Sequence, residues 1–113
     1  MNTTTTLLVQ KNFGKEPHYL LLNQDPQGEK WEFPTVQEED RLENYLEEEL
    51  GISDHKLDKE VQNREIMGIK VPETAQPIIN AEKYSGGIFL KKSDIKQLLD
   101  GKNGLEAFEQ YAR

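Results

Sequence analysis

The sequence predicts one α+β domain built on a mixed sheet, and three observations predict it. Its 113 residues leave room for a single domain, taken here as 1–113. Strand-like runs come before and after one long helical pattern in the middle of the chain. Two shorter helical patterns close it, so neither an all-β nor a strictly alternating βα order fits.

The elements follow in order. Thr4 to Lys11 is rich in β-branched residues and carries Leu7, Leu8 and Val9, which predicts a strand. The Gly and Pro of 12–17 predict a turn. His18 to Leu22, a short continuous apolar run typical of a buried strand, completes a hairpin. Asp25-Pro26-Gln27-Gly28 predicts a turn in the loop that follows. Trp31-Glu32-Phe33 alternates and predicts a short strand stopped by Pro34. A helix is expected from Thr35 to Leu50. Thr35 with Glu38 is a capping-box pattern, Leu42, Tyr45, Leu46 and Leu50 form an apolar stripe, and Gly51 stands where a left-handed cap belongs.

Val61 to Val71 reads as one strand in which Gly68 marks a bulge. Pro72 to Tyr84 reads as loop with a short strand at Ile78-Ile79, and Gly87 to Lys91 as strand. Ser93 caps a short helix carrying Ile95, Leu98 and Leu99. Asn103 caps a last one carrying Leu105, Phe108 and Tyr111.

Composition narrows the function. Fourteen Lys and Arg stand against 21 Asp and Glu, a net charge of −7, so bare nucleic acid and anionic membranes are repelled and neither is expected as a direct partner. No apolar run approaches the ~20 residues a membrane span needs. The absence of Cys excludes disulfides, thiolate zinc sites and Cys nucleophiles, and with the lack of a targeting signal it points to the cytoplasm. With only His18 and His55 to help, metal chemistry has to rest on carboxylates.

Those carboxylates are concentrated in one place. Between Thr35 and Leu50 seven acids face one base, Arg41. Acids in the first turn suit the positive end of the helix dipole, but Glu47, Glu48 and Glu49 crowd the negative end, each at a cost of ~0.3–1 kcal/mol where exposed. A divalent cation would reverse that sign. At 100° per residue Glu49 falls inside the apolar arc, between Tyr45 and Leu46, and Glu48 flanks it. A carboxylate on the core side is paired, neutralised or coordinated, or else it splays to water from the last turn.

Trp31-Glu32-Phe33-Pro34, followed by a helix ending Leu46-Glu47-Glu48-Glu49-Leu50-Gly51-Ile52, resembles the Nudix hydrolases. Their signature ends Arg-Glu-U-x-Glu-Glu-x-Gly-U, with U a bulky aliphatic residue. Leu46, Glu48, Glu49, Gly51 and Ile52 match it. The resemblance implies a Nudix-like α/β/α sandwich with a mixed sheet and the signature helix at about 36–50. It also implies Mg²⁺ or Mn²⁺ held by helix carboxylates for metal-assisted hydrolysis. Glu48 and Glu49 then become metal ligands, Glu49 the catalytic candidate, and Trp31, Phe33, Lys70 and Tyr84 the ligand-binding candidates. For these four the competing role is core for Trp31 and solvated surface for Lys70.

The departures shape the expected function. Asn44-Tyr45 stands in place of Arg-Glu. A tyrosine is no anionic ligand at neutral pH, and Asn44 lacks the charge that orients carboxylates. The Gly pair after Pro34 is absent, and the connection to the helix is shorter by about six residues. The upstream Glu of the box has only Glu38 or Glu39 as stand-ins. A degenerate catalytic box is therefore expected, in a domain that binds a nucleotide-like small molecule or a protein partner with little or no hydrolysis. The alternatives are an active Mg- or Mn-dependent pyrophosphohydrolase of nucleoside diphosphates linked to another group, and a structural subunit of a larger assembly.

Overall fold

A hairpin starts the sheet. β1 (Thr4–Phe13) and β2 (Glu16–Asn23) run antiparallel with Phe13 opposite Glu16. The two residues between them begin with Gly14 at φ +67°, a value cheap only for glycine. The strands pair only from Gln10 and Tyr19 to the turn, and beyond that point they part. A wedge fills the gap. β3 (Trp31–Glu32) takes the edge of β2 at Leu22 and Asn23, and β4 (Thr35–Gln37) takes the edge of β1 at Thr4 to Thr6. Between them the Leu7 amide donates to the Pro34 carbonyl at 2.8 Å. The computed structural model describes residues 4–23, 31–37, 41–52, 54–62, 66–82 and 84–98.

On its other edge β1 runs parallel to β6 (Ile66–Val71), which pairs antiparallel with β5 (Lys56–Gln62). β7 (Gly86–Lys91) covers the other edge of β2. The result is a mixed seven-stranded sheet. Side chains alternate across it. Leu7, Val9, Leu20, Leu22, Ile69 and Val71 pack with Tyr45, Leu46 and Leu50 of α1 (Leu42–Glu49). Leu8, Tyr19, Leu21, Phe33 and Ile66 pack on the opposite face with Ile95 of α2 (Lys92–Leu98). Among the described residues one helix lies on each face, which is the α/β/α arrangement expected.

Several boundaries differ from expectation, among them the turn expected at 12–17, which narrows to two residues between Phe13 and Glu16, and the linker before Val61, which is strand from Lys56. The helix begins at Leu42, not near 36, because Thr35–Gln37 completes the edge of β1 that β2 leaves open. β-branched Thr35 and Val36 suit that pairing better than a helix start. Arg41 occupies the N-cap without a side-chain bond, so the capping box does not form at Thr35. The strand expected over Val61 to Val71 is two strands, β5 and β6. The irregularity lies in β5 between Asp58 and Gln62, opposite the Gly68–Met67 step. Ile78-Ile79 is loop, not strand. The turn at 25–28 and the last helix fall outside the described residues. Among the described residues no helix is long and apolar enough to cross a membrane.

Candidate functional site

The acidic end of α1 packs on the sheet, where Tyr45, Leu46 and Leu50 share one core with Leu22 of β2 and Val36 of β4. Tyr45 and Glu49 lie one turn apart on the same side of α1, a consequence of i, i+4 spacing. Tyr45 is buried; Glu49 is half-buried, with its Oε2 closed to solvent, whereas Glu47 and Glu48 are exposed. The apolar arc therefore does draw Glu49 inward, while Glu48 stays in water. Glu32, opposite Leu22 on β3, faces the α1 side.

The loop 72–84 closes this corner, and it is held at both ends. Lys11, the buried cation of β1, donates from Nζ to the Ala75 carbonyl and sits 5.0 and 5.5 Å from the ring centroids of Phe13 and Phe89. At the other end the Asn80 amide donates to the Glu49 carbonyl at 2.9 Å, and the Asn80 carbonyl accepts from Tyr84 N–H at 3.0 Å. Asn80 Oδ1 also accepts from Glu82 N–H at 2.9 Å. Ser85 N–H then donates to the Asn23 carbonyl at 2.6 Å. These bonds satisfy one orphan carbonyl of the helix end and deliver Tyr84 to Tyr45. The two phenol oxygens lie 3.0 Å apart in a buried hydrogen bond. Burial first, then that bond and the charges of Tyr84, Glu49 and Glu32, push the Tyr45 phenol far above its ordinary range. Tyr45 is a neutral hydroxyl throughout the physiological range.

Gly51 makes the close approach feasible. Its φ is +64°, and a Cβ there would lie 2.6 Å from the Ile78 backbone nitrogen. The Ile52 amide donates across it to the Leu46 carbonyl at 2.8 Å, closing the helix.

The structure brings together Glu49 and Tyr84 of the expected set and separates the others. Trp31 and Phe33 pack on the α2 face, and Lys70 alternates with Ile69 and Val71 and so projects exposed to that same side. The sheet stands between these three and Tyr84, so one ligand does not touch both groups. On the α1 face Lys11 is a buried lysine that the sequence reading did not single out. Nor did it single out Asn80 or Glu32. The short polar spacing of Asn80 and Glu82 was the available cue for Asn80, as an Asx turn. Glu73 and Glu82 are exposed, and Glu38 and Glu39 fall outside the described residues.

A hydrolytic Mg²⁺ or Mn²⁺ centre needs several oxygen ligands converging on one point. Among the described residues no three Asp, Glu or His side chains come together in that way. Where a third carboxylate would stand one turn before Glu49, there is a phenol held by another phenol. The described donors do not fit a multi-metal cluster.

No family profile and no curated protein matches the chain. Solved structures do. An Ap4A hydrolase from C. elegans, in a binary complex, superposes with a TM-score of 0.76 at 12% identity, over 96% of this chain and 93% of that one. The NUDIX domain of Shewanella oneidensis NrtR complexed with ADP ribose gives 0.61 at 15% identity, over 95% and 83%. The chain has the Nudix fold. A chain from the complex between the C-terminal domain of mouse MUTYH and human PCNA gives 0.56 at 16% identity, over 98% and 87%. Likeness at these identities is a likeness of fold, and a fold hosts many functions.

Proposed function

We propose that this Nudix-fold chain is a binding module whose catalytic box is degenerate. In this reading a nucleotide-like ligand or a protein partner occupies the α1 face beside Glu49 and Tyr84, with little or no hydrolysis. The observation that carries the reading is the buried Tyr45–Tyr84 hydrogen bond, 3.0 Å long, one helical turn before Glu49. It puts a neutral, locked group where the resemblance calls for an anionic ligand, and site groups of that kind act as a unit. Glu48 and Glu49 then support at most one weak Mg²⁺ or Mn²⁺, completed by phosphate oxygens of a ligand. The fold neighbours lend the ligand class: one is complexed with ADP ribose, and another belongs to a structure of a protein–protein complex.

A second reading, a Mg- or Mn-dependent pyrophosphohydrolase using Glu49, is favoured by the 0.76 match to an Ap4A hydrolase. Calorimetric titration with Ap4A and with ADP-ribose, followed by analysis of the recovered ligand, separates the two. Saturable heat with intact ligand supports the binding module. Cleaved ligand supports the hydrolase. Absence of heat from either compound removes the nucleotide arm and leaves the protein partner. Repeating the titration with Mn²⁺ alone on Glu48→Gln/Glu49→Gln tests the residual ion site, which is lost if both proteins give the same heats.

A further inference from the structure

Two of the longer strands, β5 and β7, pair on one side only among the described residues. Their open edges differ in kind. β5 carries Lys56, Asp58, Lys59 and Glu60, and its register breaks between Asp58 and Gln62. Charge and broken register are how natural sheets blunt an edge. β7 has neither defence. Its sequence, Gly-Gly-Ile-Phe-Leu-Lys, holds no acid and a single base at its very end, and it pairs with β2 in unbroken register from Gly86 to Lys91. At its middle Ile88 is 42% exposed. An open, regular and apolar edge of this kind is a template for a further strand.

The order of residues in β7 says which strand fits. Laid antiparallel against a copy of itself with Ile88 opposite Ile88, β7 matches small residues to large ones. Gly87 comes opposite Phe89, and Gly86 opposite Leu90. Directly opposed residues share a face of an antiparallel pair, and the even spacing of these positions obeys that rule. A side chain at Gly86 would meet nothing within 4 Å, so room stands open for the opposing Leu90; over Gly87 Ile79 already lies, and the glycine limits crowding there. Lys91 comes opposite Ser85 rather than its own copy, so no like charges face each other across the pair. The chain carries −7, and Glu43, Glu47 and Glu48 are exposed on α1, whereas β7 is free of acids. An acid-free strand is where two such chains meet with least repulsion.

We propose that the outer edge of β7 is a homodimer interface, in which β7 pairs antiparallel with the β7 of a second copy about a two-fold axis at Ile88. The contact is isologous, so it closes at two chains and continues the sheet from one subunit into the other. It uses none of the side chains assigned to the α1 site, and so stands apart from the reading of that site.

The test is sedimentation equilibrium of the full chain over a range of concentrations, at low and at high salt, with three single variants. Wild type is expected to show a monomer–dimer equilibrium that tightens as salt screens the repulsion between two chains of charge −7. Ile88→Lys sets two ammonium groups on the axis and weakens the dimer about tenfold or more. The position is exposed, so the variant retains the fold, which circular dichroism verifies. The chain has no Cys, so one introduced thiol reports the register. Ile88→Cys is expected to give a disulfide-linked dimer under mild oxidation. Gly86→Cys, whose two copies stand four residue steps or ~13 Å apart, is expected to stay unlinked. A wild type that is monomeric at every concentration, species that grow beyond the dimer, a dimer that Ile88→Lys leaves unchanged, or equal cross-linking of the two cysteine variants overturns the interface.

Discussion

At residue scale the Tyr45–Tyr84 bond ties the α1 corner together. Removing one hydroxyl strands the other in a buried place, so Tyr45→Phe is expected to cost about 1–3 kcal/mol. Tyr84→Phe is expected to cost a similar amount. The double variant removes donor and acceptor together and costs less than the sum of the two singles, by at least ~0.5 kcal/mol; urea unfolding of the four proteins measures that coupling. Ionisation gives a second signature. The unfolded phenol loses its proton near pH 10, while burial and its neighbours hold the folded one protonated to higher pH. The stabilising contribution is therefore fully present below about pH 10 and is lost progressively as pH rises above it. The stability difference between wild type and Tyr45→Phe should be flat through neutral pH and shrink in alkali. Tyr45 and Glu49 were legible in the sequence as members of one arc of a helix. Their partner Tyr84 was legible only as an aromatic residue beside a turn, because the bond that ties its loop to α1, from Asn80 N–H to the Glu49 carbonyl, joins residues distant in sequence.

At the scale of elements, α1 has eight residues, an N-cap without a side-chain bond and no basic residue in its last turn. Little in its own chemistry favours a helix. It is held by packing of Tyr45, Leu46 and Leu50 on the sheet and by Gly51 at its end. Gly51→Ala meets both a positive φ and the Ile78 backbone, and is expected to cost at least ~2 kcal/mol in urea unfolding. Gly14→Ala has the same sign of φ but open space around it, so about 1 kcal/mol is expected there. Conversely Glu48→Lys, at an exposed position by the negative end of α1, should stabilise by ~0.3–1 kcal/mol, less at high salt. The hairpin, the Gly51 cap and the last strand were legible because turn residues and apolar runs are local signals. The start of α1 was not. Thr35 and Glu38 look like a capping box in isolation, and only the open edge of β1, created by the departure of β2, makes Thr35–Gln37 a strand.

For the whole molecule, the order of elements followed from the pattern of the chain and the helix on each face from the Nudix resemblance, whereas the sorting of side chains between the two faces followed from neither. Trp31, Phe33 and Lys70 were grouped with Tyr84 on residue type. Alternation along β3 and β6 puts them across the sheet from it, and a shift of one residue in register would reverse that. The polar groups of the α1 face thus include Lys11, Glu32, Tyr45, Glu49 and Tyr84, with two carboxylates beside a hydrogen-bonded phenol pair. The measurement that tests this composition most directly is release of mononucleotides from Ap4A with Mg²⁺ or Mn²⁺. Wild type is expected to release no more than buffer. Metal-dependent turnover by wild type that Glu49→Gln abolishes would contradict the account.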